Sequence, residues 1–118
     1  MVTAGLLAVG CNSRSPSYEV LKGKWQRPDG GYVIAITNVT DAGALGVGYF
    51  NPRPIHVGRA QASRDNGTLQ VLIELQDENY PGSTYRLTFD PAADQLKGTY
   101  YQAVAKETYS IYFVRLKP

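Results

Sequence analysis

Glu19-Val20-Leu21-Lys22-Gly23-Lys24-Trp25 alternates so that Leu21, Gly23 and Trp25 share one face, and Pro28-Asp29-Gly30-Gly31 then ends the run with turn residues. Alternation of this kind predicts a strand with one buried side. Similar runs follow along the chain. Tyr32, Ile34 and Ile36 align until residues 38–43 interrupt them, and Leu45, Val47 and Tyr49 form a third set with Gly46 and Gly48 opposite. Asn51-Pro52-Arg53-Pro54 forces a tight turn, because proline fixes φ and removes a donor. Ile55 and Val57 open a fourth strand reaching about Ala62, and Asp65-Asn66-Gly67 reads as a hairpin turn. Leu69, Val71, Ile73 and Leu75 mark the fifth strand over 68–75, and residues 76–82 read as the longest irregular loop. Tyr85, Leu87 and Phe89 mark the sixth strand, Leu96, Gly98 and Tyr100 the seventh, and Tyr109, Ile111, Phe113 and Arg115 the eighth.

Turns this short leave no room for parallel crossovers, so the strands form an antiparallel meander. No stretch offers a helix of ordinary length. Eight strands are enough to close a sheet on itself, which removes exposed edges and leaves an interior that fits side chains or one small ligand. The expectation is an all-β, eight-stranded antiparallel up-and-down barrel over residues 19–118. Composition agrees: 43% of the 118 residues are hydrophobic, 19% are charged, and nine tyrosines outnumber three phenylalanines and one tryptophan. Tyrosine suits a pleated surface on which the ring packs and the hydroxyl reaches a partner. A net charge of +2, spread evenly, does not call for nucleic acid.

Residues 1–18 read as a separate segment. The apolar stretch before Cys11 is shorter than the roughly 20 residues a membrane-spanning helix needs. Leu6-Leu7-Ala8-Val9-Gly10-Cys11 resembles the lipobox of bacterial lipoproteins, although Ala8 stands where that family favours leucine. The resemblance implies a signal segment, lipid attachment at Cys11 and a place in the cell envelope, facing the periplasm or on the outer membrane. Asn12-Ser13-Arg14-Ser15-Pro16-Ser17 would then be a polar tether. Because Cys11 is the only cysteine, an intramolecular disulfide and a cysteine-based metal cluster are both excluded.

Gly23-Lys24-Trp25 on the first strand and Arg115 on the last resemble the signature of the calycin group: lipocalins, fatty-acid-binding proteins and avidins. The resemblance implies that Trp25 closes one end of the barrel beneath Arg115. A helix after the barrel, usual in lipocalins, has no counterpart before Pro118. Only a turn separates Trp25 from Tyr32, where fatty-acid-binding proteins insert two helices, and a single tryptophan does not make the wall of a biotin site. A lipocalin-like lipoprotein is the reading that remains.

The sequence does not suggest an enzyme, a cofactor or a metal. His56 is the only histidine and has no evident partners. Asp77 and Glu78 are adjacent, and neighbouring side chains on an extended chain point apart. Gly43-Ala44-Leu45-Gly46-Val47-Gly48 lacks the spacing and the following helix of a phosphate loop. If the assigned faces point inward, Tyr32, Tyr49, Tyr85, Tyr100 and Tyr109 line the interior and offer ring surface and hydroxyls to a small, partly apolar ligand. Arg59 and Arg86 would add charge near a rim, with Arg86 on the outward parity. The alternative is that the rings interlock and fill the barrel, leaving a non-catalytic interaction or inhibitor module of the envelope, its protein partner unspecified.

Overall fold

The computed structural model describes residues 17–117, so Cys11 and the lipobox-like stretch lie outside the described residues. Chain order is a single-turn 3-10 helix, Tyr18–Leu21, and then β1 (Gly23–Gln26), β2 (Val33–Val39), β3 (Leu45–Phe50), β4 (Pro54–Ile55), β5 (Val57–Asp65), β6 (Thr68–Asp77), β7 (Tyr80–Asp90), β8 (Gln95–Gln102) and β9 (Glu107–Arg115). All nine strands pair antiparallel in one sheet, in the order β4-β3-β2-β1-β9-β8-β7-β6-β5, and the sheet curls into a nearly closed barrel. No α-helix occurs among the described residues.

The first strand meets the last at the pairs Trp25 with Arg115 and Gln26 with Val114. The other seam lies between β3 and β5. It is held by an isolated bridge between Ala44 and Gln61 and by the Ala62 amide, which donates to the Gly43 carbonyl at 2.7 Å. Gly43 has φ +95°, and a Cβ there would overlap the Ala62 carbonyl oxygen, so only glycine lets the two segments approach.

Nine strands stand where eight were expected, because the fourth run breaks at His56. Ile55 pairs with Tyr49 of β3, whereas Val57 pairs with Leu75 of β6, so one continuous segment changes neighbours across a single residue. The first strand is also shorter than its alternation suggests. Residues 18–21 turn into the 3-10 helix, whose start Ser17 caps by accepting from the Glu19 amide at 3.0 Å. Residues 76–82, expected as the longest loop, are mostly strand, with only Glu78 and Asn79 turning between β6 and β7. At the β5–β6 hairpin, Asn66 (φ 55°) and Gly67 (φ 81°) adopt the paired positive angles that its sequence anticipates.

The core lies inside the barrel. Leu69, Val71, Ile73 and Leu75 of β6 are all buried, each no more than 2% exposed, and they alternate with outward Gln70, Leu72 and Glu74. The two ends differ. The base carries the 3-10 helix, the 91–94 turn and the C-terminal residues; the mouth carries residues 27–32, the 51–53 turn, the Glu78–Asn79 turn and the 103–106 turn.

Candidate functional site

At the base, the indole of Trp25 is fully buried. It donates from Nε1 to the Leu21 carbonyl at 3.0 Å and meets Phe89 edge-on at 6.1 Å. The Arg115 guanidinium lies over the Trp25 ring, 4.2 Å from its centre. The same guanidinium donates to the Val20 and Lys22 carbonyls, each at 2.7 Å, and to Asp94 at 2.8 Å. Arg115 thus satisfies carbonyls at the end of the 3-10 helix and fixes that helix as the floor over the indole.

The mouth is built from tyrosines around Arg27, which the alternation of the first strand does not single out. Arg27 continues the inward parity of Gly23 and Trp25 and is only 8% exposed. Its amide donates to the Tyr32 carbonyl at 3.0 Å, closing the loop that aims the side chain into the barrel. A buried guanidinium is costly unless paired. Here Nε and Nη2 grip Asp29 at 2.9 and 2.7 Å in a bidentate fork, and Nη1 donates to the Tyr85 hydroxyl at 2.9 Å. The cation also sits 4.3 Å from the Tyr32 ring centre and 5.6 Å from that of Tyr100.

Tyr49, Tyr85 and Tyr100 are buried, and Tyr85 touches both of the others. Tyr85 stacks on Tyr100 at 4.4 Å, tilts against Tyr49 at 5.6 Å and meets Phe113 edge-on at 5.2 Å. The hydroxyls of Tyr49 and Tyr85 hydrogen-bond to each other. Tyr80, whose hydroxyl accepts from Asn51 at 2.7 Å, packs edge-on against Tyr49. Tyr32 is half-buried and stacks on Tyr49 at 6.4 Å.

Tyr109 corrects the expected lining. It shares parity with Ile111 and Phe113 and pairs across the sheet with Tyr100, yet it is 45% exposed, and its hydroxyl donates to Glu107. Alternation fixes which face of a strand a residue takes, but not whether other side chains close over it, and the Tyr109 ring stays nearly half exposed with its hydroxyl turned to Glu107. Arg59 and Arg86 lie on the outer face of the sheet, where both line one hollow.

Burial sets the acid–base character of the cluster. It drives the Tyr49 phenol far above its ordinary range, with the neighbouring Tyr85 adding to the effect. It pushes Tyr85 up to about 12, even though hydrogen bonds from Tyr49 and Arg27 pull the other way. Burial acts to lower the pKa of Arg27, but the bonds to Asp29 and Tyr85 outweigh it and raise the value. The hydrogen bond from Arg27 holds Asp29 below the usual carboxylate range. Around neutral pH the site therefore holds a fixed cation–anion pair beside the protonated phenols of Tyr49, Tyr85 and Tyr100. Among the described residues, no buried side-chain nitrogen or oxygen lacks a hydrogen-bond partner.

His56, Asp77 and Glu78 meet at the turn between β6 and β7. The His56 amide donates to Asp77 Oδ2 at 2.7 Å, and the Glu78 amide donates to Asp77 Oδ1, so Asp77 organises the turn beside the kink. These backbone bonds, the one from His56 first, hold the Asp77 carboxyl below its ordinary range. No family model, curated protein or solved structure matches this chain.

Proposed function

We propose that this domain is a non-catalytic interaction module: a lipocalin-like barrel whose interior is filled by its own side chains and whose binding surface is its exterior. One observation carries the reading. The polar groups of the interior are spent on one another, through Arg27 with Asp29, Arg27 with Tyr85 and Tyr85 with Tyr49. A ligand-holding barrel keeps convergent polar groups free for its guest. Here a guest would have to displace Arg27 from its ion pair and separate rings already in contact. The calycin likeness is drawn from the way Arg115 of the last strand covers Trp25 of the first. Cys11, by its lipobox-like setting, would tether the module in the envelope.

Native mass spectrometry of the chain purified from its own host tests the reading. The expected spectrum shows no small-molecule mass retained by the barrel; a stoichiometric small ligand released on denaturation overturns the proposal in favour of a ligand carrier.

A further inference from the structure

The geometry points to a docking site for an acidic segment of a partner protein on the outer face of β5, β6 and β7. A hollow of about 340 Å³ opens there, with Arg59, Gln61, Gln70, Arg86 and Thr88 around a floor of Leu72. No carboxylate lines it. The inference rests on the module reading above and assigns that module a surface and a partner chemistry.

Arg86 is the central observation. It projects outward from the middle of the sheet, and the residues opposite it are uncharged: Leu72 on β6 and Thr99 on β7's other neighbour, β8. It is exposed, and its side chain makes no hydrogen bond or ion pair among the described residues. Arg59 pairs in register with Glu74, the natural partner for an ion pair across adjacent strands. That pair does not form. Arg59 Nη2 instead donates to Gln61 Oε1 at 3.2 Å, on the hollow side, and Glu74 Oε2 accepts from Gln76 Nε2 at 3.3 Å. The local arrangement thus leaves two guanidinium groups lining one depression that no carboxylate lines, with Glu74 beside it held by Gln76.

The strands bearing them are two spacings apart, about 10 Å. Two carboxylates at alternate positions of an extended segment are about 7 Å apart, within reach of arginine side chains leaning inward. Guanidinium is suited to gripping carboxylates in a planar fork, Gln61, Gln70 and Thr88 supply bonds to a backbone, and Leu72 gives an apolar floor. An anionic membrane fits less well. The two arginines line a hollow of about 340 Å³, which an extended segment can enter and a plane of lipid headgroups meets only at its edge.

Fluorescence anisotropy of a labelled hexaglutamate peptide against the full chain tests the site. Binding should weaken as salt rises, and Arg86→Gln should raise the Kd about tenfold, with a larger rise for Arg59→Gln/Arg86→Gln. Both positions are outward, so an unchanged emission spectrum from Trp25 at the base confirms that the variants fold. Equal affinity in the double variant and the wild type overturns the site, as does binding to phosphatidylglycerol vesicles with none to the peptide. Each of these results leaves the filled barrel standing; a ligand mass from the interior would overturn the barrel reading without touching the peptide measurement.

Discussion

The hydroxyls of Tyr49 and Tyr85, 36 residues apart in the chain, meet at 2.8 Å inside the barrel, with Tyr85 also accepting from buried Arg27. This bond requires at least one phenol to keep its proton. The consequence is alkaline lability. Both phenols titrate above their ordinary value of 10.0, Tyr85 at about 12 and Tyr49 higher still. Above pH 10 the unfolded chain releases protons that the folded chain retains, so stability is whole below that point and declines as pH rises toward the folded values. The slope should approach roughly 1.4 kcal/mol per pH unit for each such tyrosine. Urea titrations at stepped pH, followed by tyrosinate absorbance, check it: the buried phenols should ionise together with unfolding and not before.

A filled interior resists enlargement. Tyr49→Trp and Tyr100→Trp should each lower stability by about 1–3 kcal/mol, because the added ring must displace neighbours already in contact. Unchanged urea midpoints for both variants would reveal spare volume.

The strands were legible because alternation is a local property. Leu69, Val71, Ile73 and Leu75 are spaced by two and buried together, and the face assigned to Tyr49, Tyr85 and Tyr100 is the buried one. What escaped depends on three dimensions. Arg27 carried a signal, being two residues beyond Trp25 and two before Asp29, but a charge at an inward position reads as the end of a strand until its counter-ion and its aromatic ring partners are visible. Tyr109 has the right parity and is in register with buried Tyr100, yet its ring is left nearly half exposed. The break at His56 leaves no mark in the alternation, since Ile55 and Val57 are spaced like any strand; it becomes visible only in the pairing, Ile55 with Tyr49 and Val57 with Leu75.

Arg115 stabilises the base through an aromatic face and three hydrogen-bonded groups at once. Arg115→Ala should cost about 2–4 kcal/mol. Arg115→Lys keeps the charge but not the planar fork and should recover less than half of that loss. Chemical denaturation measures the cost, and a red shift of Trp25 emission should report water reaching the indole.

Gly43→Ala strikes the β3–β5 seam. The substitution combines a positive φ with overlap on the Ala62 carbonyl and should destabilise by about 1–3 kcal/mol. Hydrogen exchange should show the Ala62 amide losing protection first, before amides of the central strands.

If Cys11 carries the anchor, Cys11→Ser moves the protein from the membrane fraction to the soluble fraction of its host. Retention of the variant in the membrane pellet would refute the attachment.

Because β1 lies beside β9, the chain enters and leaves the barrel at the same pole: Ser17 caps the helix under Trp25, and the Leu116 amide donates to the Lys24 carbonyl. Among the described residues, both ends of the chain therefore lie beneath the floor of the barrel. The Arg27 end stays at the far pole, and the Arg59–Arg86 flank lies between the two, so a tag carried after Lys117 attaches at the pole opposite Arg27 and leaves the segment that bears Cys11 untouched.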